Sequence, residues 1–352
     1  MEVLHRLGAE AAQLRTRLEG LSRQVASGRR AESLGELAPY APRAISLGND
    51  IARRETYIRA LDQAAGRMSV MQASLNRLAE IAREFRAEVA MRLTSRDENA
   101  LVTVRARARA ALIEVGHLLN TRLDGEYLFA GSDIANPPIP DPESLPDGGM
   151  ASAIAAAVAG LDDSNAAAVA AATRAAAQST APGISPFSDF LEDPARGGGE
   201  PRRSLLAADG ARLAYGIHAN RNAMATSEGE TTGAWVRDLL RGLMTLAALT
   251  PAQAAYRQGF EELATVIRAG LAAAEEGLAE ERGALGAVQR QAEAERNRHR
   301  LLSDTLAKQL AQLTEVDLAE TLTRLQATRQ ALEASYRATA TLAELTLTRF
   351  LR

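Results

Sequence analysis

The residue types that could do chemistry are few and badly placed for it. The chain of 352 residues has four histidines, at His5, His117, His218 and His299. They lie far apart and share no ligand spacing, so they predict no metal site. There is no cysteine, which removes disulfides, thiolate ligands and sulfur nucleophiles. Gly197-Gly198-Gly199 has the glycine content of a phosphate cradle. It lacks both the preceding apolar strand and the Gly-Lys-Ser or Gly-Lys-Thr that would make it one. No nucleophile-elbow motif supports a Ser-His-Asp set, and no carboxylate pair sits in a recognisable site. The expectation is a protein that is not an enzyme and carries no cofactor.

Basic residues give no better lead. Lys308 is the one lysine among 41 basic side chains, and the formal net charge is −3. A general nucleic-acid binder needs a surplus of cations to displace counterions. Arg105, Arg107 and Arg109 are spaced by two, which scatters them around a helix and predicts a solvated bundle face. Arg296, Arg298, His299 and Arg300 sit among Glu293 and Glu295 and are expected on a solvated or inter-subunit face. No apolar stretch of about 18 residues exists to cross a bilayer. The N-terminus shows neither a continuous apolar core nor a small-residue cleavage site, so no cleaved signal peptide is expected.

What remains is periodicity. Leu4, Leu7, Ala11, Leu14, Leu18, Leu21 and Val25 alternate steps of three and four, the heptad seam of a helix that lies along another helix. At the other end Leu318, Leu322, Leu325, Leu332 and Tyr336 follow a similar seam, interrupted at Arg329. Ala338, Leu342 and Leu345 continue it on a shifted face. Neither end is a plausible unit alone. Gly8 and Gly20 weaken the first, since a glycine inside a helix costs about 1 kcal/mol relative to alanine. Their natural partners are each other, or copies of themselves in neighbouring subunits.

Between the ends the chain reads in blocks. Aromatics are 4% of residues while alanine, leucine, arginine and glutamate dominate, which favours long helices over sheets. Gly28, Gly35, Pro39 and Pro42 end the first helix and make a linker. A helix then runs from near Arg43 to about Leu93, with Met68, Met71, Leu75, Leu78, Ala82, Phe85 and Val89 as ordinary seam residues. Ser95-Arg96-Asp97-Glu98 is a capping box opening another helix along Leu101, Val104, Ala108, Ala111, Val115 and Leu118. The Asp124-Gly125 turn ahead of Tyr127-Leu128-Phe129 predicts a tight connection whose aromatics pack on the bundle.

The middle differs in kind. Prolines between Pro137 and Pro146 forbid regular structure, two alanine-rich segments predict short helices, and the glycine triplet predicts a flexible loop. Ser204-Leu205-Leu206 and Leu213-Ala214-Tyr215 around Asp209-Gly210 predict a hairpin. Helix returns from about Ala234 to Ala248, with Trp235 expected at the root of the inserted section. Thr250-Pro251-Ala252-Gln253 then opens a helix reaching past Leu310 along Phe260, Leu263, Ile267, Leu271 and Leu278. Thr314-Glu315-Val316-Asp317 reads as a fresh cap. The predicted fold is mainly α, a long helical bundle or coiled coil with paired terminal helices and a small α+β domain inserted mid-chain. Its blocks are a terminal helix 1–30, a linker 31–42, bundle halves 43–132 and 234–313, an insertion 133–233, and a terminal helix 314–352.

Two stretches then resemble a known family. Leu21-Ser22-Arg23-Gln24-Val25-Ala26-Ser27-Gly28-Arg29-Arg30 resembles the end of the first helix in bacterial flagellins and their hook-associated relatives. Asn120-Thr121-Arg122-Leu123-Asp124-Gly125-Glu126-Tyr127-Leu128-Phe129-Ala130-Gly131-Ser132 is similar to the signature closing their N-terminal region. The resemblance covers about 1–132 and 234–352. Glu315-Val316-Asp317-Leu318-Ala319-Glu320 and Ala334-Ser335-Tyr336-Arg337-Ala338-Thr339-Ala340, with Leu345-Thr346-Leu347, are most similar to the hook–filament junction branch, hook-associated protein 3. Phe350-Leu351-Arg352 keeps a trace of the tail of a filament flagellin. The linker departs from the family, with Ser33 to Pro42 in place of its acidic Ser-x-Asp-Asp-Pro-Ala type.

The resemblance implies a structural subunit exported unfolded through the flagellar type III apparatus, escorted by a chaperone that covers the C-terminal helix. It implies assembly with copies of itself and with a neighbouring hook-associated protein and flagellin, outside the cell. The terminal helices would form an inner tube and the insertion would face outward. Filament flagellin is the first alternative and a non-flagellar coiled-coil scaffold the second. The expected assembly interface is Leu4, Leu7, Leu14, Leu18, Leu21, Val25, Leu318, Leu322, Leu325, Leu332, Tyr336, Leu342 and Leu345.

Overall fold

Leucine, alanine and arginine in seams of three and four do fold as helices throughout. A computed structural model describes residues 2–93 and 98–350, and the side chains of 5–91, 93 and 98–341. Its long helices are α1 (Glu2–Ser27), α2 (Ala41–Glu88), α3 (Glu98–Leu119), α9 (Arg257–Thr314) and α10 (Leu318–Phe350). Shorter ones are α4 (Gly149–Ala159), α5 (Ala166–Gln178), α6 (Asp189–Glu192), α7 (Trp235–Ala248) and α8 (Pro251–Ala254). Two antiparallel hairpins hold the described strands: β1 (Arg122–Leu123) with β2 (Glu126–Tyr127), and β3 (Ser204–Ala208) with β4 (Ala211–Ala214). The protein is mainly α with a small α+β section, as the periodicity predicts.

The chain divides into two compact units, one of residues 1–56 with 298–352, the other of 57–297. In the second unit the predicted seams are core. Met68, Met71, Leu75, Leu78, Ala82, Phe85 and Val89 are buried against Leu101, Val104, Ala108, Ala111 and Val115 of α3 and Phe260, Leu263, Ile267, Leu271 and Leu278 of α9. On α3 the seam closes on Leu119 rather than Leu118, which is half-buried. A π-helical turn, Val89–Leu93, follows α2. Ser95, Arg96 and Asp97 of the capping box lie outside the described residues, though α3 does open at Glu98.

Both hairpins turn where the sequence says. Asp124 (φ 52°) and Gly125 (φ 83°) are both left-handed, the two-residue geometry that matches strand twist. The turn delivers Phe129 into the core, fully buried. In the second hairpin Leu205 faces Leu213 and Ser204 faces Ala214, with a bulge between Leu206 and Ala208. Asp209, in its turn, accepts from the Tyr57 hydroxyl at 2.7 Å.

Several expectations need correction. The glycine triplet is not a loose loop but a packed 3-10 turn, Gly197–Gly199. A Cβ at Gly197 would lie 2.4 Å from the Phe190 ring, and one at Gly199 would lie 2.7 Å from the Pro194 carbonyl. Thr250 does cap, with Gln253 Oε1 accepting from the Thr250 amide at 3.0 Å, but only the four-residue α8 follows. The chain breaks before α9 begins at Arg257, where Asp163 accepts from the Gln258 and Gly259 amides at 2.8 and 3.2 Å. Of the three arginines of α3, Arg105 is exposed as expected, but the other two do more than face solvent. Arg109 pairs with Asp147 at 2.5 Å, and Arg107 pairs with Glu84 and Glu88 over the Phe85 ring. Arg296 pairs with Asp62 at 3.0 Å in the second unit, and His299 in the first is buried rather than solvated.

Helix α7 is the keel of the inserted section. Residues Trp235 to Ala247 are all buried, charged ones included. Trp235 packs so closely on α9 that a Cβ at Gly277 would sit 2.8 Å from its own Cβ. The Arg237 guanidinium donates to Glu192 at 2.5 Å, to the Ala177 carbonyl at 2.8 Å and to the Asn220 carbonyl at 3.2 Å, and lies 5.0 Å from the Phe187 ring centre. One turn on, Arg241 donates to Glu230 and the Ala170 carbonyl, both at 2.8 Å, and to Thr173 at 3.0 Å. Asp238 accepts from Thr231 and from the Thr232 amide. Burial pushes the Asp238 carboxyl up from its ordinary pKa despite these donors, and pulls the Arg237 guanidinium down. One helix thus supplies hydrogen-bond partners to two carbonyls of α5 and to the loops around residues 220 and 231.

Candidate assembly interface

The first unit carries the predicted interface. Helix α1 ends because Gly28 takes a left-handed turn, φ 68°, and donates its amide to the Gln24 carbonyl at 2.8 Å. The next residues bind the start of the last helix. The Arg30 amide donates to the Thr314 carbonyl at 2.7 Å, the Val316 amide to the Gly28 carbonyl at 3.1 Å, and Arg29 bridges Glu315. Asp317 caps α10, its carboxylate accepting from the Ala319 and Glu320 amides at 2.9 and 3.2 Å. The C-terminal end of α1 therefore meets the N-terminal end of α10, and the two helices pack along each other antiparallel. Within the linker, Leu37 is buried and donates its amide to the Ser33 carbonyl at 3.2 Å.

Along the pair, Leu7, Leu14, Leu18, Leu21 and Val25 are half-buried, with Ala11 buried between them. A two-helix seam covers its side chains on one side alone, which is why none but the alanine is fully enclosed. The side chains of Leu4, Leu342 and Leu345 lie outside the described residues.

On α10 the packed seam and the apolar pattern part company. The covered positions are Thr321, Leu325, Thr328, Leu332, Ser335 and Thr339, stepping four, three, four, three, four. Leu325 and Leu332 belong to the predicted set and are half-buried. Leu318, Leu322 and Tyr336 do not join them: they are 48%, 43% and 52% exposed. Counting leucines misses the threonine positions because a hydroxyl scores as polar. In a helix it is satisfied internally, as when Thr321 and Thr328 donate to the Asp317 and Arg324 carbonyls at 2.6 and 2.8 Å. The signal that finds them is the unbroken heptad step, not hydrophobicity. Helix α10 is thus two-faced, with a mixed Leu/Thr face on α1 and a Leu/Tyr face bare.

The outer surfaces carry exposed ion pairs four residues apart: Arg15–Glu19, Glu320–Arg324 and Arg329–Glu333. Each contributes about 0.3–0.5 kcal/mol of helix stability and no chemistry. Among the described residues no group of three or more histidine, aspartate or glutamate side chains could hold a metal ion, and no helix is long and apolar enough to cross a membrane.

This is a mainly α protein whose first and last helices form a pair and whose insertion is folded around a separate keel. The pattern of the bacterial flagellin N-terminal helical region matches residues 7–133, and that of the bacterial flagellin C-terminal helical region matches residues 269–351. Together these matches span more than half the chain, and it belongs to the flagellin family. No individual curated protein matches it significantly. Members of the family are structural, and they are exported and assemble into the extracellular bacterial flagellum.

Proposed function

We propose that this chain is the hook–filament junction subunit of a bacterial flagellum, in the manner of hook-associated protein 3, polymerising through α1 and α10. The observation that carries the assembly reading is the bare apolar face of α10. Leu318, Leu322 and Tyr336 stand exposed beside a seam already in use, where a helix serving only an intramolecular pair would be polar. In this reading 1–30 and 314–352 are the assembly helices and 31–42 is the linker. Residues 43–132 and 234–313 are the two halves of the bundle, and 133–233 is the outward-facing domain. The partners are copies of itself, a neighbouring hook-associated protein, flagellin and an export chaperone. The junction role rests on the likeness of 315–320, 334–340 and 345–347 to that branch.

Deletion of the gene followed by electron microscopy tests the role. The expected result is hooks without filaments and flagellin shed into the medium. Filament flagellin is the second reading, since Phe350-Leu351-Arg352 keeps a trace of its tail. Immunogold labelling separates the two: a junction subunit labels one point near the hook, a filament subunit the whole filament. Intact filaments and normal swimming after deletion would sink both.

A further inference from the structure

His218 is buried in the second unit, 2% exposed, and no assembly role uses it. It forms an isolated antiparallel bridge with Ala130, and the following amide, Ala219, donates to the Phe129 carbonyl at 2.9 Å. Residues 129–132, the close of the N-terminal flagellin region, are stitched at this point to the segment after β4. The ring Nε2 lies 3.2 Å from Glu200 Oε1, the same oxygen that accepts the Ser132 amide at 2.8 Å. Gly131 (φ 69°) packs so tightly that a Cβ there would fall 1.8 Å from Glu200 Oε1 and 3.1 Å from His218 Cδ2.

The charged groups facing the ring come from two segments. Glu200 and Arg202 approach from the segment leading into β3, and Arg221 from the turn beyond His218. Arg221 Nη2 lies 3.4 Å from Nδ1 and 3.3 Å from Nε2, and donates to the Glu200 carbonyl at 2.6 Å. The strand segment carrying Ala130, Gly131 and Ser132 presents only backbone and small side chains. Two cations and one anion therefore surround a ring that water does not reach. Burial first, then Arg221, hold the imidazole below its ordinary pKa of 6.5, with Arg202 adding to that and Glu200 opposing it.

We propose that His218 is an acid-released latch: the neutral ring fastens residues 129–132 to residues 218–221, and taking up a proton lets them go. In the neutral ring Nε2–H donates to Glu200 and leaves Nδ1 bare for an Arg221 N–H. A proton on Nδ1 removes that acceptor and sets a second cation against the guanidinium. The sign follows from linkage. The unlatched form binds its proton near the ordinary histidine pKa and the latched form at lower pH. The latch is complete above that pKa and is lost as the pH falls below it.

The test uses the full chain as a dilute monomer. Hydrogen exchange at the Ala219 amide, corrected for the intrinsic pH effect, is measured between about pH 7.5 and 5.5, bracketing the ordinary histidine value. Protection is expected to be lost progressively in the wild type as the pH falls through that range. In His218→Gln, which keeps an N–H donor for Glu200 but cannot titrate, it stays level. A variant losing the same protection over that range overturns the proposal. Should the variant not fold, nuclear magnetic resonance of the His218 ring in the wild type decides, read against the ordinary histidine pKa of 6.5. A ring still neutral below that pH supports the latch. One that titrates at that value or above it refutes it.

Discussion

At the level of single residues, the burden in the inserted section falls on charges that a sequence reader puts in water. Arg237 and Glu192 are both more than nine-tenths buried at the side chain and joined at 2.5 Å. Removing one partner of such a pair leaves the other buried and uncompensated, at a cost of about 3–5 kcal/mol. Arg237→Met should lower the unfolding free energy of the chain by that amount in a urea titration, and Glu192→Gln added to it should restore part of the loss. Glu230 makes a second prediction. Burial would raise its carboxyl pKa, but hydrogen bonds from Arg174 and Arg241 prevail and hold it below the ordinary 4.5. A depressed carboxylate contributes stability that is full above its unfolded pKa and lost as the pH falls through the folded one. Melting temperature should therefore drop on acidification below about pH 4.5, and Glu230→Gln should flatten that part of the profile. An unchanged slope in the variant would count against the assignment. Neither cluster was legible in the sequence. Arg237, Asp238 and Arg241 within one helix look like a solvated face until the insertion closes over them. Trp235 was legible, since a lone tryptophan beside the boundary of a helix has few other places to go.

Elements were read more easily than their ends. Seams in α2, α3 and α9 were visible because a buried helix face repeats the same step over many turns, and errors in one residue do not shift it. The hairpins were visible because Asp-Gly has few other uses. The break between α8 and α9 was not, because Asp163 supplies the amide acceptors from almost a hundred residues away. For the terminal helices the seam on α1 was readable, and on α10 the leucine count favoured a face that the pair leaves open. Two predictions follow from how thin that pair is. Gly8 and Gly20 have nothing within 4 Å of an added Cβ, so Gly8→Ala and Gly20→Ala should each stabilise α1 by about 0.5–1 kcal/mol. Thr328→Leu, at a covered position of α10, should add about 1 kcal/mol by burying more apolar surface against half-buried leucines. Both effects are read from the protease resistance of the two helices in dilute monomer. Faster cleavage in all three variants would show that α1 and α10 are not paired as described.

For the molecule as a whole, the decisive property is that the isolated chain is left with apolar surface on a helix that is already partnered. Leu322 and Tyr336 are about half exposed, and replacing them by glutamate should leave the monomer nearly as stable as before, within about 0.5 kcal/mol. Assembly is another matter. A leucine fully covered by a neighbouring subunit contributes about 1.5–3 kcal/mol, and a buried carboxylate without a partner adds a further cost. Because every subunit in a polymer repeats the contact, the loss recurs at each addition and should shift the critical concentration by orders of magnitude. The control is Leu325→Glu, on the face turned to α1, which should damage the helix pair and lower helicity in the monomer itself. Circular dichroism with sedimentation of purified protein separates the two faces. The double variant Leu322→Glu/Tyr336→Glu should keep its helicity and stay in the supernatant, and if it pellets as the wild type does, the bare face of α10 is not where neighbouring copies meet.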